Sequence, residues 1–238
     1  MRKIFVVSCI LLLFGSLTAF AGPTNVGPPT GPLLDLNGLP VTHGLNGAVT
    51  ETVNFTGAAS LTSTDITFAF RDDPAFVIIS NVSVVDLTTP SGNLISNGNF
   101  ALGTVGSSVA TGWTYANIYG ATFGGIVQTG DSCLGLTTCW YDGAVQAYDA
   151  ISQNILTTSG DTYKISFDVV ENGGLTTFQD LSTNGDVTTT GGNGVDVLVY
   201  AQSGLPPASN VPEPTSIMLL STGLVGLAGA LRRKLAVK

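Results

Sequence analysis

Carboxylates are the reactive groups this chain carries in number: fifteen Asp and Glu lie between residues 22 and 210, against two bases, Arg71 and Lys164, and one histidine, His43. Two carboxylates facing each other across a cleft hydrolyse glycosidic bonds, one as acid and the other as base or nucleophile. Most of these Asp residues stand in Gly- and Asn-rich turns, where the side chain satisfies nearby backbone groups. A small secreted carboxylate-based glycoside hydrolase is therefore the alternative reading, and a protein that is not an enzyme is the favoured one. His43 has no nucleophile elbow of the G-x-S-x-G type to serve in the body of the chain, and a catalytic zinc ordinarily takes more than one histidine. Asp180, Asn184 and Asp186 gather hard oxygen ligands into one loop, as calcium requires, although not at EF-hand spacing. Calcium is the one ion the sequence suggests, and no other cofactor is expected.

Cysteines and aromatic residues offer binding rather than catalysis. Cys9 lies in the apolar N-terminal run, which leaves Cys133 and Cys139, an even count that in an exported protein reads as a disulfide closing a short loop. Trp113, Tyr115, Tyr119, Trp140, Tyr141 and Tyr148 crowd into the segment 113–148. Exposed rings of this kind hold the faces of sugars, whereas rings in a core do not. Half or more of the six belong in a core. Trp140 and Tyr141, on the disulfide loop, are the ones expected at the surface, with Trp113 and Tyr115 as further ligand-binding candidates.

Fifteen acids against two bases leave residues 22–210 with a net charge of −13. A surface of that sign repels phosphate backbones and anionic lipid, which excludes nucleic-acid binding. Cations and neutral polymers remain as partners.

Both ends of the chain read as addresses. Arg2 and Lys3, the apolar run 4–14 and then Ala19-Phe20-Ala21 have the parts of a secretory signal peptide over 1–21, with cleavage by signal peptidase expected after Ala21. Near the other end the uncharged run 215–231 approaches the roughly 20 residues that span a bilayer as a helix, and Arg232, Arg233 and Lys234 follow at once. The positive-inside rule leaves the tail 232–238 in the cytoplasm and the residues before 211 outside. Pro212 and Pro214 fix an extended backbone that a protease cleft can hold, and Glu213 supplies the charge between them. Pro212-Glu213-Pro214, an apolar helix and a tail with Arg232 and Arg233, in that order, resemble the PEP-CTERM sorting signal of Gram-negative bacteria. The resemblance implies recognition by an exosortase, a membrane cysteine protease that cuts near the motif. It also implies transient anchoring in the inner membrane and export to the outer envelope or extracellular matrix, often alongside exopolysaccharide production.

The body must position whatever binds. Residues 22–32 form a Pro- and Gly-rich linker. β-branched and aromatic runs at 49–55, 66–70, 76–87, 151–156, 162–170 and 195–201, bounded by Gly, Pro, Asn and Asp, predict strands. Tyr163, Ile165, Phe167 and Val169 alternate with Lys164, Ser166 and Asp168, the period of a half-buried strand, and Ile66, Phe68 and Phe70 repeat it. No segment between 22 and 210 sustains helical periodicity with caps. The expected fold is all-β, a two-sheet sandwich over 33–204, flanked by a signal helix and a C-terminal transmembrane helix.

Asn97-Gly98-Asn99-Phe100, Gly112-Trp113, Ala150-Ile151-Ser152-Gln153 and Gly160-Asp161-Thr162-Tyr163-Lys164-Ile165-Ser166-Phe167 resemble the first half of a galactose-binding-like jelly roll of the carbohydrate-binding-module type. Asn54-Phe55-Thr56-Gly57, Ile66-Thr67-Phe68, Asp72-Asp73-Pro74-Ala75-Phe76 and Asn81-Val82-Ser83-Val84 resemble the closing strands of that fold, yet come first. The resemblance implies a circularly permuted jelly roll in which 45–88 supplies the closing strands; two incomplete domains in tandem are the alternative. Such families often place an acid after Asn-Gly-x-Phe and an Asp before Asn81, where this chain has Ala101 and Ser80, and both departures weigh against a carried-over calcium site. With 205–214 as a linker holding the sorting motif, the whole reads as an exported surface or matrix protein acting in adhesion or polysaccharide binding. A purely structural matrix role is the other alternative.

Overall fold

The computed structural model describes residues 29–36, 48–73, 76–117, 120–121, 123–145, 147–171 and 194–206. Its strands are β1 (Leu34–Asp35), β2 (Val49–Thr56), β3 (Ser63–Asp73), β4 (Val77–Asp86), β5 (Thr114–Ala116), β6 (Ile126–Thr129), β7 (Thr138–Asp142), β8 (Asp149–Leu156), β9 (Thr162–Glu171) and β10 (Gly194–Gln202). A single 3-10 turn, Gly130–Cys133, precedes β7. The six expected runs became β2, β3, β4, β8, β9 and β10, while β1, β5, β6 and β7 were not foreseen.

Two antiparallel five-stranded sheets face each other: sheet A in the order β1-β10-β3-β8-β5 and sheet B in the order β2-β9-β4-β7-β6. The expected all-β sandwich is what forms. The chain passes from one sheet to the other at every connection except β6 to β7. In sheet A, β3 lies between β10 and β8; in sheet B, β4 lies between β9 and β7. β3 and β4 are thus enclosed by strands from after residue 110, and the edge strands β1 and β2 each pair with a later strand, so no two strands from before residue 90 are neighbours.

The alternation read in the sequence decides which side chains meet between the sheets. Ile66, Phe68 and Phe70 of β3, Ile165, Phe167 and Val169 of β9, and Val197 and Val199 of β10 all enter one buried cluster. The Phe68 ring, from sheet A, meets Phe167 of sheet B edge-on at 5.0 Å and Trp113 at 6.2 Å. On the outer side of sheet B, Ile78 and Val170 are buried with Cys133 and Cys139. These cysteines form the expected disulfide, with Cα atoms 5.8 Å apart. On the outer side of sheet A, the Tyr200 hydroxyl donates to the Pro29 carbonyl at 2.6 Å and so holds the entering chain to the last strand.

The signal segment 1–21 and the apolar run 215–231 lie outside the described residues. Among the described residues no helix is long and apolar enough to cross a membrane.

Phe68→Ala removes the ring that ties the sheets together, and its expected cost is about 3–5 kcal/mol of unfolding free energy. Reducing the disulfide, which closes a short loop, is expected to cost about 2 kcal/mol in the chain-entropy model. Denaturant unfolding with and without reductant measures both.

Candidate functional site

Two of the many carboxylates do meet. Asp142 ends β7 in sheet B and Asp149 opens β8 in sheet A, and both are fully buried. Asp142 accepts from the Trp140 indole N–H at 2.8 Å and from the Ala144 N–H at 3.0 Å. Asp149 accepts from the Gly125 N–H at 3.2 Å and from the Tyr115 hydroxyl. The two carboxyls are close enough for the charge of Asp142 to act on Asp149. Burial, reinforced by the charge of Asp142, pushes Asp149 up to about 9. Burial raises Asp142 less, to about 6, because the Ala144 and Trp140 N–H groups stabilise its charge. At neutral pH Asp149 therefore keeps its proton beside an ionised Asp142.

This pair is closed to substrate. Glycosidase carboxyls stand about 5 Å or more apart and open to the reacting sugar or to water; Asp142 and Asp149 are both fully buried. Gly125 shows how tight the seal is. A Cβ there would come within 2.3 Å of both the Trp140 ring and Asp142 Oδ2.

The open surface surrounds a bulge in β4. From Ser80 to Ser83, β4 advances three residues while its partner β9 advances two, from Asp168 to Ser166. Asn81, inside the bulge, takes φ 51°, a left-handed conformation that Asn adopts more readily than other side-chain-bearing residues. Its Nδ2 donates to Asp168 Oδ2 at 2.7 Å, and the Thr50 hydroxyl donates to the other oxygen of the same carboxylate at 2.6 Å. Against the bulge packs the turn Asn97-Gly98-Asn99-Phe100, where Val82 N–H donates to the Gly98 carbonyl at 2.9 Å. A Cβ on Gly98 would lie 2.0 Å from the Val82 carbonyl oxygen, so the approach requires glycine. Phe100 accepts φ 56° to bury its ring 5.3 Å from Trp113 and 6.2 Å from Trp140.

Bulge and turn enclose a groove of about 310 Å³ lined by Ser80, Asn81, Asn99 and Ala101 on one side and Leu136, Thr137 and Thr138 on the other. Three residues beyond Thr138 on β7, roughly 10 Å along the strand, Tyr141 stacks on Phe76 with ring centroids 4.5 Å apart. Phe76 is 39% exposed.

Trp140 must be corrected: expected at the surface, it is fully buried. Along β7 the side chains alternate, so Cys139 and Tyr141 join the outer cluster with Ile78 while Trp140, opposite Ile79, joins the core. Trp113 is only 8% exposed, and its indole N–H donates to the Asn97 carbonyl at 3.1 Å. Tyr115 is half-buried against Trp140 at 5.7 Å. Of the four aromatic candidates, Tyr141 is the one that reaches the outer surface with a ring partner there. His43, Asp180, Asn184 and Asp186 lie outside the described residues, as do Ala19, Ala21, Pro212, Glu213, Pro214, Arg232 and Arg233. Among the described residues no three His, Cys, Asp or Glu side chains come together as a metal site. Sequence reasoning missed the carboxyl pair and the meeting of Asn81 with Asn99; the adjacent Gly124 and Gly125 were the one trace of a close approach.

Residues 210–234 match the PEP-CTERM protein-sorting motif. The motif implies an exported protein of a Gram-negative envelope that an exosortase processes. The matched stretch lies outside the described residues and bears on sorting, not on a ligand. No curated protein and no solved structure matches the chain.

The carboxyl pair makes stability depend on pH in a definite direction. Asp149 holds its proton in the folded protein up to about pH 9, whereas an unfolded Asp releases it near pH 4. Its contribution is thus fully present below about pH 4 and is lost as pH rises toward 9. Asp149→Asn keeps an acceptor for Gly125 without a titrating proton. The variant is expected to melt on the order of 5 °C above the parent at pH 8 and to flatten the fall in midpoint between pH 5 and 9. Thermal melts across that range read it directly.

Proposed function

We propose that this protein is a component of the outer envelope or extracellular matrix, delivered by exosortase sorting, whose sandwich acts without catalysis in adhesion or polysaccharide binding. The observation that carries export is the sorting motif at 210–234. For binding, the support is the stacked pair Phe76 and Tyr141 at the surface, because an aromatic face offers the C–H face of a sugar ring apolar contact without demanding a charge. The strong negative charge of residues 22–210 turns away polyanions and leaves neutral polymers. Sealing of Asp142 and Asp149 supports the non-catalytic reading over hydrolysis by that pair. A disulfide between Cys133 and Cys139 suits an oxidising exterior.

Intact mass of the protein from the extracellular fraction tests the address. The expected chain begins after Ala21, ends near Pro212 and gains the mass of one disulfide's hydrogens on reduction. A chain uncut at its C-terminal side and retained in the inner membrane would sink the sorting proposal. For binding, the double variant Phe76→Ala with Tyr141→Ala should lose about tenfold in retention on an insoluble neutral polysaccharide, with its melting midpoint little changed. Unchanged retention would point instead to a purely structural matrix role.

A further inference from the structure

We infer that the groove at the β4 bulge is a subsite for one uncharged sugar unit of a polysaccharide, read by Asn81, Asn99 and Thr137. This deepens the polysaccharide-binding proposal and rests on it.

The hydrogen bonds divide the four asparagines of this region into two kinds. Asn93 and Asn97 staple the backbone: Asn93 Oδ1 accepts from the Val84 and Ile95 N–H groups at 2.9 and 3.0 Å. Asn97 donates to the Leu102 and Thr111 carbonyls at 3.0 and 2.9 Å and accepts from the Leu102 N–H at 2.9 Å. Asn81 and Asn99 are each committed on one side only. A carboxylate can only accept, so the Asn81 atom facing Asp168 is the nitrogen, and its Oδ1 is left as an acceptor with no partner among the described residues. Asn99 is the mirror case. Its Oδ1 accepts from the Ala101 N–H at 3.2 Å, which leaves Nδ2 as a donor with no partner among the described residues.

One fixed acceptor and one fixed donor on the same groove match a sugar hydroxyl, which both donates and accepts. The exposed Thr137 hydroxyl adds a third such group, and Leu136 and Ala101 give apolar surface for ring C–H groups. Charged ligands fit poorly. No Lys or Arg lines the groove, which removes the means to hold an anion. For a cation no acid lines the groove: Ser80 and Ala101, far apart in sequence, both face it. Asp168, the carboxylate bonded to Asn81, already receives a hydrogen bond on each oxygen and serves to orient that side chain. At about 310 Å³ the groove is at the small end of ligand sites, which run roughly 300–1,000 Å³. It therefore suits one unit of a chain that continues toward Phe76 and Tyr141.

Affinity electrophoresis of the exported protein in gels holding dextran, laminarin or galactomannan, with alginate as the anionic control, tests this. Asn99→Asp keeps the acceptor that Ala101 needs and replaces the free donor with a carboxylate oxygen. It should weaken binding to the retarding neutral polymer about tenfold, and Thr137→Val, at an exposed side chain, should weaken it severalfold. Added calcium chloride should change nothing. If Asn99→Asp and Thr137→Val bind like the parent while the Phe76 and Tyr141 double variant does not, the groove assignment falls and polysaccharide binding stands. If no neutral polymer retards the parent, both fall. Retardation that needs calcium, or that alginate alone produces, overturns the assignment of an uncharged ligand. Should Asn99→Asp prove unstable by its melting midpoint, Thr137→Val decides.

Discussion

Two buried carboxyls, Asp142 and Asp149, anchor the packing beneath the open surface. The two carboxyls belong to different sheets and meet where the chain crosses from β7 to β8. Two charges are costly together in a space without water, so burial and the charge of Asp142 keep Asp149 neutral. From there the order is passed along by contact. Asp142 fixes the Trp140 indole; Trp140 gives Phe100 a ring to pack on; and Phe100, buried at a left-handed φ, holds Asn99 at the groove. The left-handed backbone at Phe100 is costly for a bulky residue, and burial between Trp113 and Trp140 is what offsets it.

A domain this acidic has little choice of partner. With Arg71 fully buried, the basic groups at the described surface reduce to Lys164, so recognition has to work through amides, hydroxyls and rings. Neutral polar groups bind weakly one at a time, since each must give up water to bind. Preorganisation is the remedy: Thr50 and Asp168 hold Asn81, and the Ala101 N–H holds Asn99, before any ligand arrives. Weak subsites repeated along a polymer then add through multivalency rather than through any one strong contact.

The long strands were legible through alternation: Thr162–Glu171 buries Tyr163, Ile165, Phe167 and Val169 on one face as its sequence requires, whereas Ser63–Asp73, read from Ile66, Phe68 and Phe70, is buried on both faces from Ile66 to Asp72. The short strands were not. Thr114–Ala116 and Ile126–Thr129 are too brief to show a period, and their places are set by partners distant in sequence. Trp140 was misjudged for a different reason: its place beside a disulfide suggested a surface loop, whereas the alternation of Cys139, Trp140 and Tyr141 along one strand already put the middle ring inward. The bulge at Asn81 leaves no mark in sequence, because an extra residue in one strand is defined only against its partner. That Ser80 and Ala101, far apart in sequence, line one groove could be learned only from the fold.

Export and binding are linked through the disulfide. Cys133 and Cys139 flank the segment that supplies Gly135, Leu136, Thr137 and Thr138 to the far wall of the groove. Without the bond this wall is held mainly by the 3-10 turn and by β7, and a reducing cytosol denies it the bond. Oxidation outside the inner membrane shortens the accessible ensemble of that loop and presents the Thr137 hydroxyl at a fixed distance from Asn81 and Asn99. The wall of the groove proposed as a subsite is therefore braced by a bond suited to the compartment to which the sorting motif sends the chain.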